Sequence, residues 1–144
     1  MTNWDARFLD LAKHIAGWSK DPSTQCGAVV VDQSRRIVST GYNGLARGVA
    51  DTNARLMVRG SKYNQIIHAE ENALLYARQP LDGCTIYVWP MSPCSRCAAK
   101  IIQTGITRVV AAQPDTDTAD RWQEDWIMAA EMYQEAGVTW EVIE

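Results

Sequence analysis

Residues 83–112 read GCTIYVWPMSPCSRCAAKIIQTGITRVVAA, a strand, a helix and a second strand in succession. Thr85 to Trp89 is a run of β-branched and aromatic residues that starts just after Gly83, which is the composition of a strand. Pro93 opens a helix that runs to about Thr104, because its missing N–H costs nothing in a first turn, and Gly105 stops it. Val109 to Ala112 is a second strand. Two strands joined by a helical crossover lie parallel in one sheet.

Near the N-terminus, Trp4, Phe8, Leu11, Ala12, Ile15 and Ala16 recur at helical spacing, with Thr2 and Asp5 at capping-box positions, and predict an amphipathic helix over 3–18. Ala28 to Val31 and Arg36 to Thr40 flank the turn-forming Asp32-Gln33-Ser34 and read as a hairpin. Gly41-Tyr42-Asn43-Gly44 breaks its second strand. Residues 45–64 hold no sustained period and carry Arg47, Arg55, Arg59 and Lys62, so they read as a long irregular loop of the kind that usually carries function. His68 to Gln79 is helical and ends before Pro80; Thr118 to Ala136 is a helix and Val138 to Ile143 a last strand. This order predicts an α/β protein: a three-layer α/β/α sandwich around a five-stranded mixed sheet, in one domain spanning residues 1–144. In the last helix Trp122, Trp126, Ile127, Ala130 and Tyr133 form a broad apolar face, open to core packing or to a subunit contact.

Composition narrows the function. The chain has 144 residues, 47% of them hydrophobic, which excludes intrinsic disorder. No apolar run approaches the ~20 residues of a membrane span, and Asp5 and Asp10 stand where a secretory signal would be basic then apolar. A soluble cytoplasmic protein is expected. Fourteen Lys and Arg against 17 Asp and Glu give a net charge of −3, which disfavours a phosphate-backbone grip and favours a small-molecule partner over nucleic acid. The four cysteines are expected to stay reduced there. Cys26 and Cys84 sit beside glycines and apolar runs as small core residues do. Cys94-x-x-Cys97 has metal-ligand spacing and equally redox-motif spacing.

The chemistry lies in two helix starts, His68-Ala69-Glu70 and Pro93-Cys94-Ser95-Arg96-Cys97. An imidazole and two thiolates are the ligands zinc prefers, and three protein ligands leave the fourth tetrahedral position for water. Such a metal lowers the pKa of its water toward ~7. Glu70 is not needed as a ligand and is placed to collect the water's proton and pass it to a substrate nitrogen. A structural zinc would need a fourth ligand from His14, Cys26 or Cys84, of which His14 reads as a surface residue. A redox role for the cysteines leaves His68 and Glu70 unexplained. The combined H-x-E and P-C-x-x-C pattern is the signature of zinc nucleobase deaminases.

In these motifs and the segments around them, the chain resembles the deoxycytidylate (dCMP) deaminases of the cytidine deaminase superfamily. Ser19-Lys20-Asp21-Pro22, Gln25-x-Gly27-Ala28-Val29, Thr40-Gly41-Tyr42-Asn43-Gly44, Lys62-Tyr63, His68-Ala69-Glu70-x-Asn72-Ala73, Pro93-Cys94-x-x-Cys97-Ala98 and Ile101-Ile102-Gln103-x-Gly105-Ile106 carry the likeness. It implies a cytidine deaminase-like fold, one Zn²⁺ per chain on His68, Cys94 and Cys97, and hydroxide attack on C4 of dCMP to release ammonia and dUMP. Glu70 would protonate N3 and later the leaving amine, and Asn43 and Ala69 would touch the substrate. A homo-oligomer is implied as well.

For the phosphate, the loop donors Lys20, Ser23, Thr24 and Arg47 are the candidates; for the base, a slot made by Trp89, Met91 and Ile67. Asn43 has a plainer alternative, tolerance of a positive φ in its turn. Departures are Ala46 where the family often has proline, Cys26 where it has valine, the lack of a second Cys/His zinc cluster, and a stretch from Pro114 to Trp122 without family markers. Another substrate, such as CMP, a modified cytosine nucleotide, guanine or tRNA adenosine, is the rival among enzymes. A zinc module without activity is the rival outside them, and it would have no use for Glu70.

Overall fold

The run Gly27 to Val31 has no polar face, and in the computed structural model, which describes residues 3–144 with Ser61 by its backbone alone, all five residues are buried. They form the second strand of the central sheet. The elements in chain order are α1 (Trp4–Ala16), β1 (Gly27–Val31), β2 (Ile37–Tyr42), β3 (Gly44–Leu45), α2 (Asn53–Met57), α3 (Arg59–Gln65), β4 (Ile66–Ile67), α4 (Ala69–Tyr76), β5 (Thr85–Trp89), α5 (Ser95–Gln103), β6 (Arg108–Ala112), α6 (Thr116–Ala136) and β7 (Thr139–Ile143). Five strands join in the order β2-β1-β5-β6-β7. β1 runs antiparallel to both β2 and β5, while β5, β6 and β7 are mutually parallel, so the mixed five-stranded sheet expected from the crossovers is present.

Successive side chains of a strand point to opposite faces, and here they build two cores. Val29 and Val31 meet Phe8, Leu9, Ala12 and Ile15 of α1 on one face. Ala28 and Val30 pack with Ala69 and Ala73 of α4, Ala98 and Ile101 of α5, and Ala129 and Tyr133 of α6 on the other. These are the three layers.

Two glycines set the spacing of the layers. A Cβ on Gly27 would stand 2.0 Å from the Ala12 carbonyl oxygen of α1, and one on Gly41 would stand 2.4 Å from the Ala69 oxygen and 2.5 Å from the Ala73 nitrogen of α4. Gly41 and Tyr42 thus continue β2 rather than breaking it, because the glycine is there to admit a helix. Gly105 does stop α5's turn, at φ +91°.

Other expectations are corrected. The cap of α1 is Asn3, whose Oδ1 accepts from the Asp5 and Ala6 amides at 3.0 and 3.3 Å. Thr2 lies outside the described residues, and Asp5 serves instead as an ion-pair partner of Arg108 at 2.7 Å. Residues 45–64 are not one irregular loop: they contain α2, capped by Thr52, and most of α3, and the pair β3 and β4 closes them antiparallel. These helices of five and seven residues are too short to show a period; α2 rests on the Thr52 cap and on Leu56, the one buried side chain among their described residues, and α3 has no side-chain cap. α4 ends at Tyr76 rather than Gln79, and α5 begins at Ser95, after Cys94 rather than at Pro93. The apolar face expected on α6 divides: Trp126 and Tyr133 enter the core together with Ala129, Trp122 and Ala130 are half-buried, and Ile127 stays exposed beside Met128.

Candidate active site

The two motif helices, α4 and α5, lie on the same face of the sheet, and their first turns meet. His68 is the N-cap of α4 and Cys94 the N-cap of α5. The strand β5 ends at Trp89, just before the turn that carries Cys94, so this meeting point lies at the carboxyl end of the parallel strands, where open α/β sheets bind ligands. A groove of about 510 Å³ at the other end, beside Trp4, Asp5, Arg35 and Arg108, lies at the starts of β5 and β6, away from the motif residues.

His68 Nδ1 lies 3.2 Å from Cys97 Sγ and 3.6 Å from Cys94 Sγ. The three donor atoms lie within 4.8 Å of one another. Ligand bonds of ~2.0 to 2.3 Å around a tetrahedral zinc separate donors by roughly 3.5 to 3.8 Å, so the set fits the ion. Among the described residues no fourth donor joins it. His14 is exposed with its ring edge-on to Trp18, Cys84 is buried in the core, and Cys26 packs against that core. A closed structural site is therefore not built.

Local contacts hold the donors in place. Glu71 Oε1 accepts from the His68 backbone N–H at 3.0 Å, and the same carboxylate pairs with Lys100, which ties α4 to α5. The hydrogen bond from Cys97, helped by one with His68, lowers the Cys94 thiol pKa, and the same bond to Cys94 raises that of the Cys97 thiol. One proton shared between two sulfurs leaves a thiolate ready for a cation. Hydrogen bonding to Cys94 raises the His68 pKa. Glu70, in the first turn of α4, is 6% exposed, and burial pushes its carboxyl up to about 7. It is a buried acid able to change protonation near neutral pH.

The remaining candidates occupy varied places. Ala69 is fully buried beside His68. Asn43 is buried, and Arg35 is the one described non-glycine residue with a positive φ, so turn tolerance does not explain Asn43. Its Oδ1 accepts from the Cys26 N–H at 2.8 Å, and its Nδ2 donates to the Thr24 oxygen at 2.9 Å and to Asp21 at 3.3 Å. Both amide protons are spent on the 21–26 loop, while Oδ1 keeps one lone pair. The backbone amides of Ser23 and Thr24 turn inward to Asp21. Lys20 is exposed and pairs with Asp51 at 2.8 Å. Arg47 lies over the Tyr76 ring at 5.7 Å and donates to its hydroxyl. Trp89, Met91 and Ile67 are half-buried.

Several supporting residues were not legible. Lys62, read as one of several loop cations, is nearly buried on α3 and pairs with Asp21 at 2.6 Å. Asp125 and Trp126 of α6 and Trp140 of β7 reach the turn that holds Cys94. Lys62 has a weak sequence signal in the Lys-Tyr pair, but a contact across 30 positions has none.

Residues 2–113 match the family described as the cytidine and deoxycytidylate deaminase zinc-binding region. An uncharacterized deaminase in the luxG 3′ region of Aliivibrio fischeri is 46% identical over 142 residues, covering 97% of this chain and 95% of that protein. The deoxycytidylate deaminase of Mus musculus is 34% identical over 144 residues, covering 94% of this chain and 77% of the relative. Among solved structures, the dCMP deaminase of cyanophage S-TIM5 in complex with dCMP and dUMP superposes with a TM-score of 0.76 at 26% identity, covering 96% of this chain and 95% of that one.

Proposed function

Since this chain belongs to the cytidine and deoxycytidylate deaminase family, we propose that it is a zinc-dependent hydrolase that converts dCMP to dUMP and ammonia. The observation that carries the proposal is the open His68, Cys94 and Cys97 triad next to the buried acid Glu70 in the same helix turn. The mouse and cyanophage relatives, both named as deaminases of this nucleotide, support the substrate.

In this reading His68, Cys94 and Cys97 hold one zinc per chain. Bound there, zinc supplies Lewis acidity and a water acidified toward neutral pH. Glu70 does the proton work: it takes the proton of the attacking water and delivers it to N3 of cytosine, then takes the proton of the new C4 hydroxyl and gives it to the amine, which leaves C4 as ammonia. Its burial suits it to both directions of transfer. Ala69, buried beside His68, backs the site from the first turn of α4, and Asn43 offers its remaining Oδ1 lone pair to the sugar. Ser23, Thr24, Lys20 and Arg47 are the donors for the phosphate, the last two after exchanging their present partners.

The activity belongs to a single domain of residues 1–144 acting in the cytoplasm on a small nucleotide, with no nucleic-acid partner. The net charge of −3 supports the last point, and no described helix is long and apolar enough to cross a membrane. Exposed Leu75 and Tyr76 on α4 and Ile127 and Met128 on α6 support a homo-oligomer.

The test is ammonia release from dCMP, CMP, deoxycytidine, dCTP and guanine. The greatest kcat/KM is expected for dCMP, and faster release from deoxycytidine would overturn the phosphate assignment. Glu70→Gln is expected to keep one zinc per chain and lose about 10²- to 10⁴-fold in turnover. Near-normal rates in that variant would defeat the mechanism.

A further inference from the structure

Cys94 stands at the N-cap of α5, and the N–H of Ser95, the first residue of the helix, is out of reach of an N-cap side chain, which serves the second and third N–H groups. The first N–H groups of a helix have no intrahelical partner, so this turn needs an acceptor from elsewhere. Asp125 of α6 supplies one. Its Oδ2 accepts from the Ser95 backbone N–H at 2.8 Å, and its Oδ1 accepts from the Ser95 hydroxyl at 2.7 Å. On the other side of Cys94, the Trp126 indole donates to the Ser92 carbonyl oxygen at 3.2 Å and the Trp140 indole to the Ser92 hydroxyl at 3.0 Å. Four hydrogen bonds from α6 and β7 therefore bracket the ligand, and all three partners lie beyond the residues 2–113 that the family match covers.

We propose that Asp125 is a positioning residue of the metal site: from α6 it holds the N–H and hydroxyl of Ser95, the residue that follows Cys94, and so fixes the direction in which the Cys94 sulfur points. The proposal rests on the zinc reading given above. Groups that orient a metal's ligands are typically worth about 10- to 100-fold in metal affinity.

The experiment uses the metal-loaded full chain, with Co²⁺ exchanged for zinc as a spectroscopic probe and zinc release to a chromophoric chelator as a second readout. Asp125→Ala is expected to release zinc about 10- to 100-fold faster and to shift the thiolate-to-cobalt charge-transfer band. In Asp125→Asn, Oδ1 can accept from the Ser95 N–H while Nδ2 donates to the Ser95 hydroxyl, so this variant is expected to restore both readouts. Ser95→Ala, which loses only the hydroxyl contact, is expected to fall between wild type and Asp125→Ala, and it serves the test should Asp125→Ala fail to fold. Glu124→Ala, an exposed neighbour on the same helix, is expected to change neither. The proposal is overturned if Asp125→Ala keeps the wild-type release rate and band, if Asp125→Asn is as impaired as Asp125→Ala, or if Glu124→Ala matches it. A wild-type chain that takes up no cobalt would instead defeat the zinc reading, a result distinct from normal loading beside an unaffected Asp125→Ala.

Discussion

Asp21 is the residue on which the loop before β1 converges. Its carboxylate takes the Lys62 ammonium at 2.6 Å, the Ser23 and Thr24 amides, and the Asn43 side chain. Both members of the ion pair are largely buried, so removing one leaves the other charge stranded. Lys62→Met is expected to cost about 3 kcal/mol in urea unfolding, the lower end of such losses because the amide donors remain. Tyr133 is the opposite case. Its ring is buried against Trp140, but its hydroxyl finds no hydrogen-bond partner among the described residues, and burial raises its pKa. Tyr133→Phe removes an unsatisfied group and is expected to leave stability unchanged or raise it by up to about 1 kcal/mol, read from the same urea curves. At this scale the sequence shows the chemistry well, because His68, Glu70, Cys94 and Cys97 sit in short motifs. It hides Asp125, Trp126 and Trp140, whose roles exist only once α6 and β7 have packed.

At the scale of elements, α1 is joined to the sheet by charge as well as by its apolar stripe. Asp5 holds Arg108 of β6, which also pairs with Glu141 of β7, and Asp5 accepts from the Tyr87 hydroxyl of β5 at 2.7 Å. The Arg108 hydrogen bond, followed by that of Tyr87, holds the Asp5 carboxyl below its ordinary 3.8. A depressed carboxyl favours the folded state above its unfolded pKa, and the benefit is lost as pH falls through the folded value. The urea midpoint of Asp5→Asn is therefore expected to trail wild type near neutrality, with the gap closing below pH 3.8; a gap of constant size would show that charge is not its cause. The strands of the central sheet are the most legible elements, since the valines of β1 and the middle of β5 are buried as their composition requires, whereas the two-residue β3 and β4 carry no such run. Lengths were less so. β2 runs on through Gly41 because the missing side chain answers to α4, which nothing in its own neighbourhood announces. The helices α2 and α3 escaped because one buried leucine cannot make a period.

Across the whole molecule, both faces of the sheet must be covered for the parallel strands to persist. Trp126, Ala129 and Tyr133 of α6 complete one core, and β7 shields β6 from becoming an edge. A chain ended after Gln113 keeps every motif residue, yet it is expected to expose that core and to be recovered insoluble or without cooperative unfolding by circular dichroism. The close approach of both layers to the sheet has an outcome for sequence drift. At positions 27 and 41 backbone meets backbone, so rotating or trimming neighbours cannot make room for even one methyl group, whereas a methyl at Gly60 meets nothing within 4 Å. In a saturation library selected for function, codons 27 and 41 would return as glycine alone while codon 60 diversified.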